Sequence, residues 1–372
     1  MNVERLHAIA QAVRADLNAT AALNGVRALR DALTQQLSAP SDPAPQQALS
    51  EAFQRLSVAL TDAPSNRFSP AWRQVLDELD ISPLLGRDLL DRVQATLQRN
   101  QITVAIAAQD MEALTGELDE LTTDLDQLLT GLSAFNIGAE ALAPGSAEVS
   151  VLVPRAEVDN ALSPLGRELV TLEGLLLPFV ELATGSRAPL PVTAVSSSDF
   201  GVYLTMVPAA ALMLSTALDK ILDTYKKVLE IRALREQLER QAVLSAAALA
   251  PVDEEVNQYM SDANRRFADE LIAGKHADLP ETRLNELRND LRRSLDEIAD
   301  RIDHGYNIDV RASADPAPGD AIPADVEALQ LIVSISPRLK FINATGRPIL
   351  RLAERAQQNP EPPGDEAAAP AE

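Results

Sequence analysis

At 372 residues the chain has room for two or three ordinary domains or for one long helical body. Hydrophobic residues make up 46% and aromatics only 3%, so the core must be aliphatic, which favours helices packed by Leu, Ala, Val and Ile stripes over an aromatic-rich β-sandwich. The formal charge of −22, from 33 basic and 55 acidic side chains, opposes phosphate backbones and anionic membrane surfaces, and the absence of cysteine excludes disulfides, zinc–thiolate sites and thiol nucleophiles.

In chain order, residues 3–37 place Leu6, Ile9, Val13, Leu17, Val26, Leu33 and Leu37 at helical intervals, with a weak point at 18–25. A proline-rich connector at 38–45 precedes a helix over 46–61 and a turn at 62–66. Ser69-Pro70 and Ser82-Pro83 each have the cap-then-proline form of a helix start. The second launches a helical pattern to Leu132 that weakens at 100–103. Within it Leu114, Leu118, Leu121, Leu125, Leu128 and Leu132 step by four and three, a heptad seam of about three repeats. That is short for a free coiled coil, so the seam is expected to pack inside a bundle.

The same helix is one-sided in charge. Between Arg99 and Arg155 there is no lysine or arginine, while Asp110, Glu112, Glu117, Asp119, Glu120, Asp124 and Asp126 crowd together. An intramolecular pairing with the lysine- and arginine-bearing helix after Pro208 is the expectation. As a calcium site the stretch lacks the D-x-D-x-D-G loop, and a helix spreads its carboxylates around a cylinder.

Residues 148–154 alternate like a strand, and 162–182 form an apolar helix with Pro178 inside it, where a kink or break is expected. The runs 191–195 and 201–207 flank a turn-forming cluster at 196–199 and predict a hairpin. Pro208 then opens a helix predicted to reach Leu249, roughly 60 Å at about 1.5 Å per residue. Leu214, Leu218, Ile221, Tyr225 and Val228 form its buried stripe; Arg232 is grouped with the charged residues away from it. Phe200 to Leu218 carries no charge and is long enough to span a bilayer of about 30 Å. Pro208 and the strand-like alternation before it favour a buried strand-to-helix junction; a membrane anchor is the alternative.

Helices over 250–273 and 280–303 predict a helical hairpin, the second with favourable Arg292–Asp296 and Arg293–Glu297 spacings. Residues 307–312 add a candidate further strand. A linker at 312–322 leads to closing helices at 323–336 and 348–357, and the tail 358–372 is too polar and proline-rich to fold.

The sequence thus predicts a mainly α protein, an elongated helical bundle with long amphipathic helices and a small central β-element of about three strands. The segments are an N-terminal helical domain (1–144), a strand, hairpin and long-helix body (145–311), a linker (312–322), C-terminal helices (323–357) and a disordered tail (358–372).

Chemistry is thin. His7, His276 and His304 share no ligand spacing, and His276 and His304 follow predicted helix ends, where a polar or cationic group meets the helix dipole. Nucleophile-elbow, P-loop and dinucleotide fingerprints are missing. No catalytic, cofactor or metal residues are therefore assigned, and no cofactor is expected. The expectation is a non-enzymatic, cytoplasmic, bacterial-type scaffold or adaptor. It would assemble with itself or with a protein partner through Leu114, Leu118, Leu121, Leu125, Leu128 and Leu132 and through Leu218, Ile221, Tyr225 and Val228. A membrane-associated protein anchored by 200–218 is the second reading, and an enzyme whose site is assembled across helices is the third.

Overall fold

The computed structural model describes residues 3–39, 43–100, 102–196, 200–240, 246–274, 279–313, 322–339 and 347–352. These hold eleven α-helices and a small antiparallel sheet, in two compact units, Met1–Ala143 and Pro144–Glu372.

The first unit contains α1 (Val3–Thr20), α2 (Ala22–Ser38), α3 (Pro43–Thr61), α4 (Pro70–Glu78), α5 (Gly86–Arg99) and α6 (Val104–Ala134). The weak point in the opening helical pattern is a break at Ala21, which adopts φ 48° and turns the chain back. Helix α2 packs on both α3 and α6. At Gly25 an added Cβ would sit 2.7 Å from Leu56 Cδ1, so the absence of a side chain lets α2 and α3 approach. Ser69 caps α4, its hydroxyl accepting from the Trp72 N–H at 3.4 Å. Asn66 links two helices: its amide donates to the Leu60 and Thr61 carbonyls, while its oxygen accepts from the Arg87 N–H.

The acidic helix α6 finds its counter-charges inside this unit. Asp126 pairs with Arg14 at 2.6 Å, Asp119 with Arg27 at 3.0 Å, Glu112 with Arg30 at 2.7 Å and Glu117 with Arg92 at 2.6 Å. The buried leucine seam turns toward α1 and α2, which brings arginines on those helices alongside the α6 carboxylates.

The second unit has four strands, β1 (Ala147–Val153), β2 (Val192–Ser196), β3 (Phe200–Met206) and β4 (Asn307–Ala312), in the order β2-β3-β1-β4. The candidate strand at 307–312 thus joins the sheet, pairing with β1 from Leu152↔Asn307 to Ala147↔Ala312. Around it lie α7 (Leu162–Thr184), α8 (Pro208–Arg240), α9 (Ala246–Ala273), α10 (Glu281–Asp303) and α11 (Pro323–Ile335). Val149, Val151, Val202, Leu204, Ile308 and Val310 lie on one face and join the core with Leu214, Leu218 and Ile221 of α8. The opposite face is polar yet also buried: Glu148, Ser150, Tyr203 and Asp309 are all under 9% exposed. Glu148 pairs there with Arg311 at 2.6 Å, a cross-strand pair on neighbouring strands.

Two local expectations change, at Pro178 and at 348–351. Helix α7 runs through Pro178 without a break; the carbonyl that loses its donor belongs to exposed Gly174, where water can replace it. Helix α8 is described as far as Arg240, where Leu234 is already 57% exposed, and residues 246–249 are helical as the start of α9; 241–245 lie outside the described residues. Arg292 pairs across the α9–α10 hairpin with Asp269 at 3.1 Å, Asp296 accepts from Asn264 at 2.8 Å, and the expected Arg293–Glu297 pair forms at 2.9 Å. Residues 347–351 are not helical, and the predicted helix over 348–357 starts no earlier than Leu352. The hairpin turn at 197–199, His276, most of the linker and the tail lie outside the described residues.

The uncharged stretch 200–218 is β3 followed by the first turns of α8, with Ala210, Ala211, Leu214, Ala217 and Leu218 buried. Among the described residues no helix is long and apolar enough to cross a membrane.

Candidate functional site

A set of buried polar contacts in the second unit is built where α8, α9 and α10 meet residues 347–352. It begins with the stripe of α8. Leu214, Leu218, Ile221, Tyr225 and Val228 step by four and three, and the next position inward is Arg232, which is 4% exposed. The stripe therefore ends in a tyrosine hydroxyl and a guanidinium facing the end of α10. Assigning Arg232 to the charged side of the helix is corrected by this placement.

Asp303, the last residue of α10, is 1% exposed and receives both groups. Its Oδ1 accepts from the Tyr225 hydroxyl and from Arg232 Nη1, the latter at 2.7 Å. Arg232 Nη1 also donates to the Asp303 carbonyl at 2.9 Å, placing a cation at the negative end of the helix dipole. Burial, followed by the neighbouring carboxylate, pushes the Tyr225 phenol well above its ordinary value, so it acts as a neutral donor.

The other oxygen of Asp303 faces the C-terminal segment. Oδ2 accepts from the Ile349 N–H at 2.6 Å and the Leu350 N–H at 2.8 Å. The next two N–H groups are also taken by side chains: Arg351 N donates to Asn257 Oδ1 at 2.6 Å and Leu352 N to Asp300 Oδ1 at 3.0 Å. Asn257 completes the clamp by donating Nδ2 to the Ile349 carbonyl at 2.9 Å. Four consecutive backbone donors are thereby satisfied by three side chains on α9 and α10. These acceptors take the place of solvent for a non-helical stretch, 347–351, whose N–H groups would otherwise be buried without partners. Ile349, Leu350 and Leu352 are each 2% exposed, so the seat combines backbone capture with aliphatic burial.

The ten residues expected to carry assembly are divided between the two units. Leu114, Leu118, Leu121, Leu125 and Leu132 are buried and Leu128 is partly buried in the first; Leu218, Ile221, Tyr225 and Val228 are buried in the second. Of these only Tyr225 reaches the polar site. Asp303, Asn257 and Asp300 carried no motif. Arg232 did leave a trace, since it continues the spacing of the stripe.

The histidines do not converge. His7 is buried, its Nδ1 donating to the Ile137 carbonyl at 2.7 Å and its Nε2 meeting the Gln11 amide at 3.1 Å. His304 caps the end of α10 with its Nδ1 3.0 Å from Glu157. Among the described residues no cluster of three His, Asp or Glu is arranged to hold a metal ion. One open depression in the first unit is lined by Phe53, Gln94, Leu97 and Gln98, without a titratable group.

Set against protein-family models, curated proteins and solved structures, the chain matches none of them.

Proposed function

We propose that this protein is a non-enzymatic scaffold or adaptor that works in the cytoplasm and assembles with itself or with a protein partner. The observation that carries the reading is the seat around Asp303. Its acidic and amide side chains are committed to backbone N–H groups, a guanidinium and a phenol, an arrangement that grips polypeptide instead of moving protons. The leucine seam of α6 and the stripe of α8 contribute by holding each unit's helices in place, which rigidifies the surface offered to a partner.

Light scattering on detergent-free protein tests this reading. A native mass at a multiple of 40.0 kDa above the monomer is the expected result. A strict monomer across a wide concentration range removes self-assembly. Cross-linking in the source cell that then recovers no protein neighbour removes the adaptor reading as well.

A further inference from the structure

We propose that residues 135–140 form a proton-sensitive strap, held against α1 by neutral His7 and released when His7 takes up a proton. The inference concerns regulation inside the first unit and stands independently of the reading above.

The strap begins where α6 stops. Asn136 adopts φ 55°, and the N–H groups of Asn136 and Ile137 return to the Ser133 and Leu132 carbonyls, the pairing of a Schellman turn. That turn brings the chain back to the start of α1, where three residues of the first two turns take hold of it. His7 Nδ1 lies 2.7 Å from the Ile137 carbonyl, and the Glu140 N–H donates to the Glu4 carbonyl at 2.8 Å. Arg5 donates Nε and Nη2 to the two carboxylate oxygens of Glu140 at 2.7 and 2.8 Å. Arg5 and His7 are each 4% exposed, whereas Phe135 is 80% exposed and no residue from 135 to 141 is fully buried. Polar contacts, not an apolar plug, fasten this segment. Such a segment sits at the low-stability end of a structure, where single contacts decide whether it opens.

The histidine contact depends on charge. A carbonyl acceptor requires the proton on Nδ1, so the other ring nitrogen, 3.1 Å from the Gln11 amide nitrogen, accepts. Both nitrogens are thus committed in the neutral ring. Protonation adds an N–H on Nε2 that faces a donor, and it sets a cation in a buried position. Gln11 is exposed and can turn its oxygen inward, so the charge is the lasting cost. Few groups are placed to offset it. Glu140 is the only ionisable residue from 135 to 141, and Arg5 engages both its oxygens. Helix α6 carries no charge from 127 to 134, and its Asp126 pairs with Arg14, about two turns along α1 from His7. On α1 itself Glu4 is exposed and Arg5 is a second buried cation. Moving the charged ring into water relieves the cost and gives up the Ile137 carbonyl. The strap is therefore held above the ordinary imidazole range, about 6.5, and released below it. Release lengthens the run of chain before β1 that α1 does not hold.

Hydrogen exchange on the full chain tests the strap, read by mass spectrometry at pH 7.5 and 5.5 and corrected for intrinsic rates. The Glu140 N–H is the direct reporter, because it closes on the Glu4 carbonyl. Protection of peptides covering 135–143 is expected to fall about tenfold or more at pH 5.5, while the buried seam at 114–125 keeps its protection. The midpoint of that fall should coincide with the titration of the His7 ring followed by NMR. His7→Asn keeps an N–H close to the Nδ1 position and carries no charge at either pH, so in this variant the acid-induced change should disappear.

Equal protection of 135–143 at the two pH values overturns the proposal. A change that survives His7→Asn also overturns it and assigns the opening to another group, Asp16 on the same helix being the first to examine. Should His7→Asn lose its helices by circular dichroism, the wild-type midpoints decide, and opening that does not track the His7 titration counts against the strap.

Discussion

Arg232 and Asp303 stand 71 residues apart in sequence, yet their side chains meet at 2.7 Å in the interior of the second unit, 5% and 0% exposed. Each neutralises a charge that would otherwise be stranded in an aliphatic core. Replacing Asp303 by Ala leaves the guanidinium buried without its carboxylate and two backbone N–H groups without an acceptor. A loss of about 3–5 kcal/mol in urea unfolding is expected. Asp303→Asn keeps an acceptor oxygen and should cost less. A neutral result for Asp303→Ala would show that the pair does not anchor the seat.

Asp16 in α1 is fully buried and accepts from the Ser65 N–H at 2.7 Å, while its second oxygen and the Ser65 hydroxyl have no hydrogen-bond partner. Burial raises its pKa above the ordinary 3.8, against the lowering effect of Ser65. The folded state therefore holds the proton more tightly than the unfolded chain does. The penalty is absent below the unfolded pKa and complete once the pH has passed the raised folded value. Asp16→Asn keeps the acceptor for Ser65 and removes the charge, so it should stabilise the protein by about 1 kcal/mol at neutral pH. Denaturation at several pH values should show the gain vanishing toward pH 3.

Glu181 on α7 behaves in the opposite sense. Hydrogen bonds from Arg283 and, more weakly, Arg187 hold its carboxyl down to about 2 from an ordinary 4.5, against the opposing effect of burial. Its contribution is present in full above the unfolded pKa near 4.5 and is lost as the pH falls through about 2. Glu181→Gln should lower stability at neutral pH and flatten the acid limb of the stability profile between those values. An unchanged acid limb would mean that the pair is screened in solution.

The seam of α6 offers a graded test. Leu118 is 0% exposed, whereas Leu128 is only partly buried at the edge of the same cluster. Leu118→Ala is expected to cost about 2–5 kcal/mol and Leu128→Ala clearly less. Equal losses measured by chemical denaturation would show that the seam is buried uniformly, as in a longer coiled coil.

Period and punctuation made most of the helices and strands legible from sequence. Steps of three and four marked α1, α6, α8 and α10, and the alternation of Val149, Val151 and Val153 marked β1. The serine–proline signal marked Ser69-Pro70 as a start. Such features are written locally, because a residue's own backbone preference and its neighbours within one or two turns decide them.

The seat was not legible, and the reason is physical. Asp303, Asn257 and Asp300 look like ordinary polar residues on amphipathic helices until α8, α9 and α10 pack and bring their side chains to one place. Residues 348–352 show aliphatic spacing suited to a helix, whereas 347–351 are non-helical and give their N–H groups to side chains from distant helices. The acidic run of α6 likewise announced that it needed cations, yet only packing on α1, α2 and α5 decided that Arg14, Arg27, Arg30 and Arg92 would supply them. Sequence by itself determined the aliphatic helical character, the small sheet and the buried stripes, all consequences of local periodicity. Tertiary structure alone decided which polar groups meet, because long-range hydrogen bonds and ion pairs depend on distances that no local pattern encodes.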